Sequence, residues 1–265
     1  MTGNLTIADL AAGYGRRPTI EGIGLPPIAS GTLVAVIGSN GAGKSTFLKS
    51  LAGLLAATGR IELDGEDLLR LPAAQRVRHL GYLPQSLPLG SVLIAYEAVL
   101  SALRAIRPDL PRAEADRHID DVFDRLELRP LALRRLGELS GGQRQLIGLA
   151  QAIVRHPRLL LLDEPTSALD LRWQLSVLQT VRDLADREGC IALIAIHDIN
   201  LALRFCDRVV VLNKGRLLST GTPDEALDSA LLRRAYGVEG RVEACSRGFR
   251  IVLADRALND GEGRE

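Results

Sequence analysis

The sequence is poor in the residues that build disulfides, metal clusters and membrane spans. It has three cysteines, Cys190, Cys206 and Cys245, which are far apart, odd in number and without metal-ligand spacing. They predict reduced thiols in a cytosolic protein rather than a disulfide or a metal site. No apolar run approaches the roughly 20 residues of a membrane span, and residues 1–10 lack the pattern of a secretory signal. A membrane, if one is involved, has to be supplied by another chain.

Net charge and lysine are also scarce. The formal net charge is only +1, so bulk electrostatics gives no reason to expect a nucleic-acid partner. Three of the 33 basic residues are lysines, namely Lys44, Lys49 and Lys214, and the rest are arginines. Lys44 lies in a glycine-rich loop, where the chemistry of phosphate binding favours a compact ammonium over a planar guanidinium. The arginine-rich composition is typical of a GC-rich genome and favours a bacterial source.

The glycine-rich loop follows a short apolar run. Residues 33–37 are apolar and rich in β-branched side chains, and residues 44–55 carry apolar side chains at helical spacing, which predicts strand, loop and helix. The loop matches the Walker A pattern, whose backbone N–H groups hold phosphates; its residues are Gly38, Ser39, Asn40, Gly41, Ala42, Gly43, Lys44 and Ser45. We expect Lys44 to reach the β- and γ-phosphates and Ser45 to bind Mg²⁺. The alternative is a glycine-rich turn with a chance lysine.

Two carboxylates follow a second apolar run. Asp163 and Glu164 come directly after residues 159–162, at the end of a predicted buried strand where ligands bind in open α/β sheets. Asp163 is expected to hold Mg²⁺, directly or through water, and Glu164 to orient and polarise an attacking water. The alternative is a pair of solvated acids in a turn. The phosphate loop upstream favours the catalytic interpretation.

A second predicted helix begins like an anion site. Ser140 is a candidate N-cap, and apolar residues follow at helical spacing from Gln143 until Pro157. Gly141 and Gly142 leave the backbone N–H groups of that helix start uncovered, and such groups attract anions. A plain helix cap after a glycine-rich loop explains the two glycines equally well when the segment is viewed alone.

Hydrophobic patterning along the rest of the chain predicts an α/β protein. Residues 5–10, 20–25 and 60–63 read as strands of a small antiparallel sheet, and residues 87–136 as a helical insertion. The continuous apolar runs 159–162 and 191–196 predict parallel strands buried on both faces, and residues 209–212 a further strand. Alternation on both sides of residues 246–248 predicts a terminal hairpin, followed by a frayed polar tail after residue 258.

With these motifs in this order, nearly the whole chain resembles an ATP-binding-cassette (ABC) ATPase. Residues 139–143, Leu-Ser-Gly-Gly-Gln, stand where that family has its signature, after the Walker A loop and before Asp163. The resemblance implies an α/β fold: a P-loop NTPase core of mainly parallel sheet, an antiparallel β subdomain and an inserted helical subdomain. It implies one domain over 1–265, with core and antiparallel subdomain in 1–86 and 152–240, helical subdomain in 87–151, and hairpin and tail in 241–265.

The resemblance also implies roles for residues that carry little signal alone. Gln85 resembles the Q-loop glutamine that links Mg²⁺ and the attacking water to a membrane partner, and His197 the switch histidine that contacts the γ-phosphate. Tyr14 resembles the aromatic residue that stacks on adenine, and Asp170 belongs to the D-loop. Viewed singly, a surface glutamine, a satisfied core histidine and a loop tyrosine would be commoner. The implied catalytic set is Glu164, His197, Gln85 and Lys44. The metal set is Ser45, Gln85 and Asp163, and the ATP-binding set adds Tyr14, Thr46, Ser140, Gly141, Gly142, Gln143 and Asp170 to the loop.

The implied partners follow from the same likeness. ATP and Mg²⁺ are expected, with the signature of one subunit closing over ATP held by a second copy. The chain resembles a detached ATPase of a bacterial importer, peripheral on the cytoplasmic face of the inner membrane. It would work with permease subunits, received in a groove shaped by residues 86–96, and indirectly with a substrate-binding protein. The cargo is expected to be an iron-siderophore, haem or cobalamin.

Two other functions are compatible with a nucleotide cassette. One is a soluble ABC ATPase that acts as a nucleotide switch in DNA repair or translation, although tandem cassettes, coiled-coil inserts and zinc cysteines are absent from the sequence. The other is a scaffold subunit that binds ATP without turnover. Intact Glu164 and His197 argue against the scaffold.

Overall fold

The computed structural model describes residues 4–15, 17–87 and 91–258. Its first sheet is antiparallel, in the order β2-β1-β4-β5, with strands β1 (Asn4–Ala12), β2 (Ile20–Ala29), β4 (Ala57–Leu63) and β5 (Glu66–Asp67). The antiparallel sheet predicted from the sequence is therefore confirmed. The predicted tail after residue 258 and residues 88–90 of the predicted groove lie outside the described residues.

The central sheet is mainly parallel and has the order β10-β9-β3-β8-β7-β6. Its strands are β3 (Leu33–Ile37), β6 (Leu80–Leu83), β7 (Leu159–Asp163), β8 (Ile191–Ala195), β9 (Arg208–Asn213) and β10 (Arg216–Gly221). All pairs are parallel except β9 with β10. Because β3 lies between β8 and β9, the glycine-rich loop leaves the middle of the sheet. The predicted fold class is confirmed.

Both faces of the central sheet are buried. In β3, Leu33, Ala35 and Ile37 pack into the core shared with the helices. Val34 and Val36 pack into a second core under the antiparallel sheet. A strand covered on both faces needs apolar side chains at successive positions, which explains why these strands read as continuous apolar runs.

Helices cover the central sheet and form the insertion between β6 and β7. They are α1 (Lys44–Leu51), α2 (Ala73–Arg76), α3 (Ala95–Arg104), α4 (Arg112–Arg125), α5 (Gly141–Ile153), α6 (Leu171–Glu188), α7 (Ile199–Phe205), α8 (Pro223–Ala226) and α9 (Ser229–Tyr236). In the insertion, Phe123 of α4 is buried and meets Tyr96 of α3 edge-on at 6.5 Å between ring centroids. Throughout the described ranges, none of the helices combines the length and apolar character of a membrane span.

Several elements differ from their prediction. Strands β2 and β4 are longer than the predicted 20–25 and 60–63. The helix predicted over residues 44–55 ends at Leu51, because Gly53 takes a left-handed φ of 68° and breaks the helical run. Strand β6, which the sequence analysis missed, is short and ends before Pro84. The terminal hairpin, β11 (Val238–Ala244) with β12 (Arg250–Ala257), begins earlier than residue 241, since Val238 already pairs with Ala257. The subdomain boundaries at 86/87, 151/152 and 240/241 stay a prediction.

Candidate active site

The loop between β3 and α1 has a backbone that only glycine can supply at its first position. Gly38 has φ 149°, and a Cβ built there would lie 2.2 Å from the carbonyl oxygen of Leu212. Gly43, directly before α1, has φ 103°, also in a region that L side chains rarely adopt. The loop therefore wraps closely over the end of β9, and the N-terminus of α1 opens into it.

Lys44 is folded into the loop that precedes it. Its Nζ donates to the carbonyl oxygens of Gly38 at 2.9 Å and Ser39 at 3.2 Å, and the residue is only 5% exposed. Burial lowers the pKa of Lys44, while the charges of Glu164 and Asp163 oppose that shift. The ammonium is thus held where phosphates would meet the loop amides.

Asp163 ends strand β7 beneath the same helix start. Its Oδ1 accepts a hydrogen bond from Ser45 Oγ at 2.9 Å, and the residue is 1% exposed. Burial raises the pKa of this carboxyl, and the neighbouring Glu164 charge adds to the rise. The Ser45 hydrogen bond and the charges of Lys49 and Lys44 pull it back. Carboxylate and hydroxyl oxygens converge here, as hard divalent cations prefer.

The Glu164 side chain contacts residues that follow the two strands on either side of its own strand. Its Oε2 accepts from Gln85 Nε2 at 2.8 Å, and its Oε1 lies 2.6 Å from His197 Nε2. Gln85 follows β6, Glu164 follows β7 and His197 follows β8, and these strands are adjacent and parallel. Their carboxyl ends meet at one edge of the sheet, so the topology brings together side chains 112 positions apart in the sequence.

The backbone of Glu164 is strained. Its φ is 55°, a left-handed conformation that costs a residue with a side chain about 1–2 kcal/mol. The amide of Glu164 donates to the Ala195 carbonyl of β8 at 3.1 Å, which holds this conformation. Strain kept by its surroundings is typical of functional positions, and here it turns the carboxylate towards Gln85 and His197.

The signature residues lie in a different cavity. Ser140 caps α5 as predicted: its Oγ accepts from Gln143 N at 3.2 Å, and Gln143 Oε1 accepts from Ser140 N at 3.0 Å. The adjoining cavity of about 530 Å³ has walls from residues 127–131, 140–146 and 168–173. Asp170 lies in that wall and caps α6. The signature residues and the phosphate loop, which the sequence predicts to bind ATP, therefore lie in two separate places within one chain.

Comparisons with known proteins decide the family. The family model described as ABC transporter matches residues 27–167, just over half of the chain. The hemin import ATP-binding protein HmuV of Vibrio cholerae is 36% identical, over 92% of this chain and 95% of the relative. This chain belongs to the ABC transporter family. It is an ATP-binding ATPase.

Other relatives agree with this assignment. The hemin import ATP-binding protein HmuV of Bordetella parapertussis is 38% identical to this chain, over 91% of this chain and 93% of the relative. A solved chain from an inward-facing ABC transporter, assigned to the metal-chelate type, has a TM-score of 0.79 at 27% identity and covers 96% and 98% of the two chains. The bacterial cassette MJ0796, solved as a dimer, has a TM-score of 0.75 at 26% identity, covering 83% of this chain and 98% of that one.

The sequence analysis did not predict Gln145 or Tyr236 in the ABC ATPase site, whereas Ser167 belongs to the same D-loop segment as Asp170. Gln145 Nε2 donates to the Glu164 carbonyl at 3.5 Å, and Ser167 Oγ donates to the same oxygen at 3.1 Å. Tyr236 of α9 lies near the Gly38 backbone, and burial raises the pKa of its phenol. Gln145 is a buried residue of α5. A polar side chain among the apolar positions of that helix is the sequence signal by which it could have been predicted as a site residue.

Tyr14 lies on the surface beside α1. It is 59% exposed, and its hydroxyl is 3.5 Å from Lys49 Nζ, which donates to it. A tyrosine ring exposed to this extent is free to stack on a planar base. The predicted adenine contact stays a prediction, with a position that permits it.

Gly38→Ala is expected to abolish ATP binding and to lower the free energy of unfolding by about 3 kcal/mol, because backbone strain and overlap with the Leu212 carbonyl add. Nucleotide binding by fluorescence and denaturant unfolding measure the two effects. Gly65→Ala is the matched control: Gly65 also has a positive φ, 85°, but apart from its chain neighbours no atom of the described residues lies within 4 Å of its Cβ position. It should cost about 1 kcal/mol and leave ATP binding intact. Equal effects of both substitutions would refute the close-approach argument.

Proposed function

We propose that this ABC ATPase is the ATP-hydrolysing subunit of a bacterial importer that moves haem or another iron chelate through a separate permease. The likeness to hemin import proteins over nine-tenths of the chain carries the proposal. The metal-chelate type of the structural neighbour supports the same cargo class. In this role the chain is peripheral on the cytoplasmic face of the inner membrane and acts indirectly with a substrate-binding protein.

Magnesium fits the oxygen donors of this site. Ser45 Oγ and Asp163 Oδ1 are already 2.9 Å apart, and the side-chain oxygen of Gln85 can complete the set. These three residues would hold Mg²⁺, which supplies charge neutralisation on the phosphates. The raised pKa of Asp163 marks a carboxylate whose buried charge benefits from a cation.

The hydrolytic step rests on residues that touch the phosphate or the water. Lys44 and the loop amides from Gly38 to Thr46 hold the β- and γ-phosphates and stabilise their developing charge. Glu164, whose Oε2 accepts from Gln85 and whose Oε1 lies against His197, orients the attacking water and polarises its O–H bond. His197, beside Glu164 Oε1, would contact the γ-phosphate, and Gln85, beside Oε2, would contact the water and Mg²⁺. Positioning and electrostatics carry this type of reaction, without a covalent intermediate.

The functional unit is a dimer of this chain. Ser140, Gly141 and Gly142 line a cavity whose walls come from outside the phosphate loop, so a second copy supplies the phosphate that their amides bind. Asp170, in the same wall, contacts the partner across the closed interface. ATP closes the dimer, and hydrolysis with phosphate release reopens it. The dimeric cassette among the structural neighbours supports this arrangement.

A groove beside Gln85, to which the predicted segment 86–96 contributes only Leu87 among the described residues, is the docking place for a permease helix. It encloses about 370 Å³ between the end of α1, α2, β6 and α5, with Leu54, Val77 and Leu87 along its apolar rim. Arg155 lines it, and its buried Nε has no hydrogen-bond partner within the described residues. Burial lowers the pKa of this guanidinium. An unpaired cation in an apolar groove matches a short apolar helix that carries one carboxylate.

Copurification followed by reconstitution tests the proposal. The tagged chain is expected to copurify with integral membrane subunits, and ATPase activity of the reconstituted complex should rise with binding protein loaded with haem or an iron-siderophore. Cobalamin serves as a third cargo arm. Stimulation by none of the iron chelates would contradict the cargo. Recovery of ribosomes or DNA-repair proteins in place of membrane subunits would support the soluble switch instead.

A further inference from the structure

Helix α7 starts immediately after the switch histidine. His197 is followed by Asp198, whose side chain accepts from Leu201 N at 3.0 Å and caps the helix. His197 is 46% exposed at its side chain, so little packing holds the imidazole itself. The position of His197 Nε2 against Glu164 therefore depends on where the first turn of α7 lies.

The C-terminal hairpin is hydrogen-bonded to the first turn of α7. Asn200 Nδ2 donates to the Val252 carbonyl at 3.3 Å, and Val252 N donates to Asn200 Oδ1 at 2.7 Å. The amide side chain thus pairs with a peptide group of β12 as a neighbouring strand would. At the other end of α7, the Arg204 guanidinium lies 5.8 Å from the centroid of Phe249 in the hairpin. Both ends of the helix are held by the same element.

The hairpin is also anchored to elements other than α7, so it can act as a support for that helix. Arg250 pairs with Asp224 of α8, and Val242 and Val252 pack against the main hydrophobic core. Leu258 N donates to the Gly237 carbonyl at 2.8 Å and closes the base of the hairpin onto α9. The ion pair to α8 and the hydrogen bond to Gly237 hold the hairpin independently of α7.

We propose that Asn200 is a positioning residue for ATP hydrolysis, through which the C-terminal hairpin sets the position of His197 against Glu164. The inference rests on the proposed role of His197 in the reaction. The Asn200 side chain is hydrogen-bonded to Val252 and not to Glu164 or His197 within the described residues. Its two hydrogen bonds transmit the fixed position of β12 to the first turn of α7, one helical turn or less from the imidazole.

Asn200→Ala should lower kcat for ATP hydrolysis by about tenfold and leave KM for ATP within about twofold, because displacement by even 1 Å can cost up to 10²-fold in rate. Asn200→Asp keeps the acceptor for Val252 N but turns the donor to the Val252 carbonyl into a second acceptor, so it should recover only part of kcat. The control is Arg241→Ala, which removes ion pairs inside the hairpin, to Glu243 and Asp255, without touching α7. It should leave kcat unchanged.

A double-mutant cycle separates positioning from a purely structural role. In single-turnover experiments with enzyme in excess, Asn200→Ala should add no further loss in the His197→Ala background, because its effect passes through that imidazole. An equal loss in both backgrounds, or a wild-type kcat for Asn200→Ala, would overturn the inference. If His197→Ala itself leaves hydrolysis unchanged, the proposed role of His197 fails first, and the two failures are thereby distinguished.

Discussion

Glu164→Gln is expected to lower kcat for ATP hydrolysis by a factor of about 10²–10⁴, the usual contribution of a positioned acid or base. The carboxylate that accepts from Gln85 and faces His197 becomes an amide without the basicity to polarise water. ATP binding is expected to persist, because Lys44 and the loop amides are unchanged. The variant should therefore accumulate as an ATP-bound dimer.

Phosphate release, nucleotide binding and size-exclusion chromatography in ATP measure these three properties of Glu164→Gln. The matched control is Glu188→Gln at the end of α6, where the carboxylate pairs with Arg125 and His156 far from the strand ends that carry the site. It should leave turnover unchanged. Unaltered turnover in Glu164→Gln would remove Glu164 from its assigned role.

The sequence predicted those parts of the site that lie in one continuous segment. The strand, loop and helix around Lys44 and the Ser140 cap with Gln143 follow from local spacing and capping chemistry, and the structure confirms both elements. The contact between Gln85, Glu164 and His197 depends on the order of three strands. Without the family resemblance, no local pattern predicts that order.

The conformations missed from the sequence were set by tertiary contacts. Apolar spacing alone extended α1 to residue 55, whereas Gly53 turns the chain so that its carbonyl accepts from Arg76 at 3.2 Å. The left-handed backbone of Glu164 carries no propensity signal, because glutamate disfavours it and the amide of this residue is held by β8. Strand β6 has only four residues, too short for a periodic pattern to be decisive.

Lys44→Ala and Ser140→Glu are each expected to remove nearly all ATPase activity, for different reasons. Lys44 provides a buried ammonium, and losing a hydrogen bond to a charged group costs about 1.5–3 kcal/mol. That loss weakens ATP binding by a factor of about 10–10². A carboxylate at Ser140 suits the N-terminus of α5, so the helix forms. It repels the phosphate that this helix start is proposed to bind. Nucleotide binding should fail in the first variant and persist in the second.

The two variants share no residue and no cavity wall. Lys44 lies under the phosphate loop, and Ser140 lines the cavity with Asp170. If each active site combines the loop of one subunit with the signature of the other, a mixed dimer contains one site with both lesions and one with neither. If one chain completes its own site, every site in every dimer carries a lesion.

ATPase activity of an equimolar mixture of Lys44→Ala and Ser140→Glu therefore tests the shared-site dimer most directly. Random pairing makes half of the dimers mixed, so about a quarter of all sites are intact in a two-fold symmetric assembly. Activity of the mixture is predicted to rise well above that of either variant alone, towards about a quarter of the wild-type rate. A mixture no more active than the mean of its two components would contradict the account.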